Sequence, residues 1–164
     1  LQTFHEGRRL IDAIGWAAIL SQLLAALGSL FAKAGIGKIV SDIVASAIPT
    51  DSALAVVIAY CLGMAVFTII MGNAFAAFAV ITSGIGIPLV IVAHGANPLI
   101  VAPIAMLAGY CGTLMTPMAA NFNIVPAALL EMQSKYGVIR AQIPLAISLL
   151  AANILLMYFL GFHS

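Results

Sequence analysis

The chain has 164 residues, of which 64% are hydrophobic and 7% carry a charge, whereas about a quarter of the residues in a typical soluble domain are charged. This composition excludes an ordinary soluble domain and predicts an integral membrane protein. The net charge of +1 comes without a basic cluster or stripe that could neutralise phosphates, so no nucleic-acid partner is expected. The apolar runs are long and lack the alternation of membrane strands. We therefore predict an all-α integral membrane fold, a helical bundle that forms a single transmembrane domain over residues 1–164.

The chain begins with a predicted span followed by an amphipathic segment. Residues 11–32 are largely apolar and long enough to cross a hydrocarbon layer of about 30 Å. In residues 36–48, apolar side chains recur at helical spacing with polar ones between them. That pattern is typical of a helix lying in the plane of the membrane interface. The sequence therefore predicts an interfacial amphipathic helix over residues 36–48.

The central apolar region contains a short polar interruption. No Asp, Glu, Lys or Arg occurs between Asp51 and Glu131, yet Gly72 and Asn73 lie within this run. An unsatisfied amide is costly in hydrocarbon, and a water-exposed turn between two complete spans would normally carry several polar residues. We expect a re-entrant hairpin over residues 52–83 with Gly72 and Asn73 at its tip. Two tightly joined spans are the alternative.

A second interruption follows in the next apolar helix. Pro117 lacks an amide hydrogen and clashes with the preceding turn, while Gly112 loosens the backbone. We therefore predict a discontinuous helix over residues 99–132 that unwinds between Gly112 and Pro117. Residues 137–144 are predicted to be a polar connector, and residues 146–162 the last span, with aromatic residues near its end.

The two interruptions together predict a binding site. Broken helices expose backbone N–H and C=O groups at membrane depth, which is tolerated only where the backbone lines a cavity or binds something. Half-helix N-termini suit a carboxylate, and unwound carbonyls suit Na⁺ or a proton-carrying group. The predicted substrate-binding residues are Gly72, Asn73, Ala74, Gly112, Thr113, Thr116, Pro117 and Asn121.

Structural roles are the alternatives at each of these positions. Asn73 is also explained as an interhelical hydrogen-bonding residue, Thr116 and Pro117 as an ordinary proline kink, and His94 as an interfacial residue rather than a proton relay. Cys61 and Cys111 lie in apolar runs without nearby metal ligands and are expected to pack. Because no catalytic constellation is present, we expect no enzyme activity and no cofactor beyond a coupling ion, Na⁺ or H⁺.

At these residues the sequence resembles the ion transporter superfamily, whose members carry anions such as dicarboxylates, citrate or arsenite. The shared order is a span, an interfacial helix, a hairpin with Asn near its tip and a helix interrupted at a Gly-Thr…Thr-Pro motif. A closer resemblance, to the domain-of-unknown-function family 979, is carried by Met71-Gly72-Asn73-Ala74-Phe75-Ala76-Ala77-Phe78 and Met115-Thr116-Pro117-Met118-Ala119-Ala120-Asn121-Phe122-Asn123. That family looks like permease subunits that pair with a sister membrane subunit and are associated with pyroglutamyl peptidase, which implies uptake of 5-oxoproline.

The resemblance also carries expectations about the whole protein. Such carriers usually contain two inverted repeats, so this chain is expected to be one repeat, the C-terminal half of a longer permease. The hairpin tip of many dicarboxylate carriers reads Ser-Asn-Thr, whereas Gly72 and Ala74 flank Asn73 here. Two hydroxyl ligands are thus missing, and the coupling ion is left open between Na⁺ and H⁺.

The leading hypothesis is a membrane permease subunit for secondary transport of a small organic anion, 5-oxoproline or another carboxylate, in the bacterial cytoplasmic (inner) membrane. Its expected partners are the lipid bilayer, the carboxylate substrate and a sister membrane subunit or a second copy of the chain. A non-transporting membrane subunit that scaffolds a partner permease is the main alternative, and a passive channel is the third.

Overall fold

The computed structural model describes residues 26, 30 and 33–162. The predicted span over residues 11–32 therefore lies almost entirely outside the described residues. The helical elements from residue 36 onward are α1 (Ile36–Ala47), α2 (Ala53–Met71), α3 (Ala74–Ile81), a π-helical segment (Thr82–Ala93), α4 (Pro98–Met115), α5 (Ala120–Leu129) and α6 (Gly137–Gly161).

Within the described part of the chain, four helical stretches are long and apolar enough to cross a membrane. They are Ala53–Met71, Ala74–Ala93, Pro98–Met115 and Gly137–Gly161, with 19, 20, 18 and 25 residues. At about 1.5 Å of rise per α-helical residue, even 18 residues approach the thickness of a hydrocarbon layer. The predicted all-helical membrane protein is confirmed at this level.

Helix α1 is amphipathic along its length. Ile36, Val40 and Val44 pack against the hydrophobic core at a spacing of four residues, and the helix contacts the π-helical segment. Lys38 and Asp42 are exposed. Its placement at the membrane interface stays a prediction.

The α2–α3 connection reverses the chain within two residues. Gly72 takes the left-handed conformation (φ 72°) that ends α2, which suits glycine because it has no Cβ. Asn73 is the N-cap of α3. The second arm does not end at residue 83 as expected but continues as the π-helical segment to Ala93.

The tight contact of Gly86 with Tyr60 accompanies the continuation of that arm. A Cβ at Gly86 would lie 2.7 Å from the Tyr60 ring and hydroxyl, and the Tyr60 hydroxyl is 2.7 Å from Thr82 Oγ1. Gly86 therefore lies within the helical segment and permits this close packing. Whether the hairpin crosses the membrane or returns to its own side stays a prediction.

Helix α4 lies between α2 and α6 and packs extensively against both. A Cβ at Gly112 would overlap the carbonyl oxygen of Ala65 and lie 2.9 Å from Thr68 Cβ. Small residues permit this close approach of membrane helices. The break predicted between Gly112 and Pro117 lies at the end of that range: α4 continues through Gly112 to Met115, and the interruption begins at Thr116.

The interrupted helix and the last span differ from their predicted bounds. The discontinuous helix predicted over residues 99–132 corresponds to α4 and α5 on either side of the Thr116 interruption. Helix α6 begins at Gly137, so the polar connector predicted over residues 137–144 is wrong. With 25 residues the helix is longer than the roughly 20 that a bilayer requires, so its polar first turns have room beyond the hydrocarbon.

Candidate functional site

The two chain interruptions lie against each other in the folded protein. A Cβ at Gly72 would be 2.7 Å from Met118 Cβ and 2.8 Å from the Met118 carbonyl oxygen. The Thr116 hydroxyl donates a hydrogen bond of 2.7 Å to the Ile69 carbonyl. We call this region, residues 69–74 and 113–123, the junction. The C-terminal ends of α2 and α4 meet the beginnings of α3 and α5 there, so helix termini of both polarities adjoin.

Asn73 caps a helix rather than bonding to a neighbouring one. Its Oδ1 accepts hydrogen bonds from the backbone amides of Phe75 (2.9 Å) and Ala76 (3.3 Å). These are two of the amides that a helix N-terminus otherwise leaves without partners. Among the described residues the Asn73 Nδ2 has no hydrogen-bond partner. One half of this amide therefore stabilises α3, and the other is a donor at its positive end.

Thr116 joins the two interruptions. Its side chain is 1% exposed, and its hydroxyl donates to Ile69 and accepts from the Met118 amide at 3.2 Å. Its extended backbone (φ −119°, ψ 135°) is the conformation that the following Pro117 favours. The hydroxyl thus has a donor and an acceptor partner within the fold, while Pro117 is exposed.

The remaining predicted residues differ in their surroundings. Ala74 is buried, and a Cβ at Gly109 would lie 3.3 Å from its Cβ, so it faces α4. Gly112 packs on α2, as described above, and Thr113 is buried one residue further along α4. The structure does not describe the side chain of Asn121. The structure therefore brings Gly72, Asn73, Thr116 and Pro117 to one place, with Thr113 at its buried side.

Asn123 is the residue that the sequence prediction missed. It is fully buried, and its Nδ2 donates to the carbonyls of Thr113 (2.8 Å) and Thr116 (2.6 Å). The last four carbonyls of a helix have no partner within it, so this amide satisfies one of them at the end of α4. A signal was present, since Asn121 and Asn123 are two positions apart and project from different sides of a helix.

Two buried oxygens at the junction have no hydrogen-bond partner among the described residues. They are Thr113 Oγ1 and Asn123 Oδ1, on side chains that are 5% and 0% exposed. A buried polar atom without a partner costs about 1–3 kcal/mol. Thr113 lies in the last turn of α4, where the helix dipole is negative, and Asn123 lies in α5 with its amide bonded to the end of α4. Oxygen atoms with free lone pairs beside the negative end of a helix suit a cation.

The other polar residues considered from the sequence lie elsewhere. His94 follows the π-helical segment, where its Nδ1 is 2.7 Å from the Leu89 carbonyl and its ring meets Phe162 edge to face. Cys61 contacts Met157 through sulfur at 3.9 Å, and the Asn153 amide donates to Cys111 Sγ at 3.7 Å. These contacts join α2 and α4 to α6 away from the junction.

Replacing Asn123 tests whether its amide supports the junction. Asn123→Leu removes the donor for two buried carbonyls, at about 1–3 kcal/mol for each carbonyl left unpaired. We expect a clearly lower midpoint of thermal unfolding in detergent. The matched control is Asn153→Leu, because Asn153 is also buried but bonds only to a sulfur. A decrease in the unfolding midpoint of Asn123→Leu no larger than that of Asn153→Leu would contradict this role of Asn123.

Comparison with known proteins identifies a family. The family described as "Protein of unknown function (DUF979)" matches residues 1–162. Neither the search of curated proteins nor that of solved structures found a match. Because the family match extends over nearly the whole chain, the chain belongs to the family of unknown function DUF979.

Proposed function

We propose that this chain is a subunit of a membrane permease that carries a small organic anion by secondary transport, with the junction as its binding site. The observation that supports this most directly is the contact between the two interruptions through Thr116, Ile69, Gly72 and Met118. Interrupted helices whose ends meet within a membrane bundle are a recurring way to build transporter sites. The ends provide partial charges without placing an ionised side chain in the hydrocarbon.

The anion would bind at the beginning of α3. The Asn73 Nδ2 is a donor there, and the N-terminal end of the helix carries a partial positive charge. No Lys or Arg occurs between Asp51 and Glu131, so a carboxylate would be held by dipoles and hydrogen bonds. This chemistry suits a small carboxylate, and the family resemblance favours 5-oxoproline among these.

The coupling ion would bind at the buried side of the junction. Thr113 Oγ1 and Asn123 Oδ1 are buried oxygens without partners, and the adjacent end of α4 adds backbone carbonyls. A hydroxyl and an amide do not take up a proton near neutral pH, because neither is among the titrating side chains. Of the two candidate ions, these ligands favour Na⁺ over H⁺.

The assembly and its location follow from the resemblance. A carrier built from inverted repeats needs a second repeat, which a sister membrane subunit, a second copy or another part of the same protein would provide. The membrane would be the bacterial cytoplasmic (inner) membrane.

A non-transporting scaffold is the second candidate. It is favoured by the structural use of the predicted site residues: the Asn73 oxygen caps α3, and the Thr116 hydroxyl has both of its partners within the fold. In that case the junction is only a chain reversal stabilised by internal hydrogen bonds. Side-chain changes that preserve these hydrogen bonds then have no effect on uptake.

The transport proposal is tested by separating the two halves of the Asn73 amide. Asn73→Ser keeps an oxygen that caps α3 but removes the Nδ2 donor. We expect the KM for labelled 5-oxoproline to rise about 10- to 100-fold, since a hydrogen bond to a charged group contributes roughly 1.5–3 kcal/mol. Uptake is measured in proteoliposomes containing the full-length protein and its presumed sister subunit, under an imposed Na⁺ or proton gradient.

The control is Ser52→Ala, which removes the cap of α2 at the opposite end from the junction. Uptake by Asn73→Ser that equals wild type, with normal assembly, would place the anion elsewhere and favour the scaffold. Absence of wild-type uptake beside a working control carrier would refute the 5-oxoproline assignment. Uptake that does not saturate would indicate a channel.

The cation proposal is tested with Thr113→Val, which replaces the hydroxyl by a methyl group of similar size. Removing an unpaired buried hydroxyl is expected to leave stability unchanged or raise it. We expect the Na⁺ concentration for half-maximal uptake to rise at least about tenfold, which corresponds to roughly 1.4 kcal/mol.

The control variant is Thr68→Val, because Thr68 is also buried but its hydroxyl donates to the Met64 carbonyl at 2.7 Å. That variant should retain the wild-type Na⁺ dependence. Equal Na⁺ dependence in Thr113→Val and wild type would contradict the cation site and leave the anion site to be judged separately.

A further inference from the structure

A cleft lies where α5 ends and α6 begins, beyond the junction. Its volume is about 480 Å³, and it is lined by Ile124, Ala127, Glu131, Met132 and Lys135. Three of these side chains are apolar, and the other two carry opposite charges. The cleft therefore combines an apolar wall with one acidic and one basic group.

The two charged residues do not neutralise each other. Glu131 and Lys135 are both exposed, and within the part of the chain that the structure describes neither forms an ion pair. Opposite charges that line one cleft without pairing leave both groups available to a ligand. The complementary ligand carries a positive and a negative group on the same small structure.

Each charge is also placed at the unfavourable end of a helix. Glu131 follows the C-terminal end of α5, where the dipole is negative, and Lys135 precedes the N-terminal end of α6, where it is positive. The first turn of α6 receives no side-chain cap, although the Gly137 amide bonds to the Ser134 carbonyl at 3.0 Å. A ligand cation beside Glu131 and a ligand anion beside Lys135 would relieve both conflicts.

The backbone conformation of Glu131 is a second unfavourable feature of this position. Glu131 has φ 48° and is the one non-glycine residue with positive φ in the described part of the chain. The Met132 amide bonds to the Ala127 carbonyl at 3.0 Å across it, a helix ending in which glycine is the least strained residue. The chain carries a carboxylate where glycine would fold more easily, which is typical of strain at a functional position.

The location indicates which zwitterion fits. Helix α6 is long and apolar enough to span a membrane, and in that placement the cleft at its beginning would lie at the level of the lipid headgroups. Exposed Tyr136 and Arg140 flank it, as expected for residues at a membrane–water interface. A phospholipid there presents a phosphate, an amine and acyl chains in sequence.

We propose that this cleft binds the headgroup of an ethanolamine phospholipid. Its ammonium group would donate hydrogen bonds to the Glu131 carboxylate, its phosphate would bind Lys135, and its glycerol region would contact Ile124 and Met132. A choline headgroup has no N–H to donate, and a glycerol headgroup has no positive charge. This assignment is independent of the transport proposal, because it concerns different residues.

The test is native mass spectrometry of the full-length protein with phosphatidylethanolamine, phosphatidylcholine and phosphatidylglycerol of identical acyl chains. We expect wild type to retain the ethanolamine lipid about tenfold more than the choline lipid, the effect of a charge-assisted hydrogen bond. Glu131→Gln should remove that preference. Lys135→Gln should weaken retention of both lipids, whereas the control variants Lys38→Gln and Asp42→Asn on α1 should change nothing.

Glu131→Gly separates binding from folding. It should raise the thermal midpoint, because glycine relieves the positive φ, and it should still lose the lipid preference. Equal retention of the ethanolamine and choline lipids by wild type, or an unchanged preference in Glu131→Gln, would overturn the proposal. Displacement of the lipid by free alanine, with stronger binding of alanine itself, would overturn the lipid assignment in favour of a soluble zwitterion.

Discussion

The structure depends on satisfying backbone hydrogen bonds where the chain leaves helical geometry inside an apolar bundle. Water is scarce at membrane depth, so every free N–H or C=O needs an internal partner. Three side chains meet this need at the junction. Asn73 accepts from the first amides of α3, Thr116 donates to the end of α2, and Asn123 donates to the end of α4. These three residues complete the backbone hydrogen bonding of the two interruptions.

The packing of α4 on α2 brings the interruptions together. Gly112 allows the backbone of α4 to contact α2 at the Ala65 carbonyl. The C-terminal ends of the two helices therefore lie next to each other. Thr116 reaches Ile69 because of this alignment. Among the described residues, three polar groups at the junction have no hydrogen-bond partner. They are the Asn73 Nδ2 donor on one side, and the oxygens Thr113 Oγ1 and Asn123 Oδ1 on the other. The proposed anion and cation sites are these leftover groups, whereas the cleft at Glu131 lies at the membrane surface and has a separate chemistry.

Much of this architecture was predictable from the sequence, because composition alone limits the chain to membrane helices and because Asn73 and Pro117 interrupt apolar runs. The family was also recognised from the two motifs and is confirmed by the match over residues 1–162. The role of Gly112 could not be predicted, since glycine permits close packing as well as breaks in a helix, and only the partner helix decides which. The role of Asn123 was not predicted from the sequence, because the tertiary contacts decide which face of α5 is buried. The role of Asn73 as a cap was missed because its partners lie in its own helix, not across an interface.

The most direct test of the proposed binding site is whether water and substrate reach the junction when the protein is in a membrane. In a protein with Cys61 and Cys111 replaced by alanine, we would measure the reaction of Met118→Cys with a hydrophilic maleimide. Met118 is 65% exposed, and the control Leu149→Cys at mid-length in α6 replaces a side chain that is 43% exposed. The account predicts that Met118→Cys reacts, that 5-oxoproline with Na⁺ slows the reaction, and that Leu149→Cys stays unlabelled in lipid. A Met118→Cys that is as unreactive as the control, or reacts at the same rate with and without substrate, would contradict it.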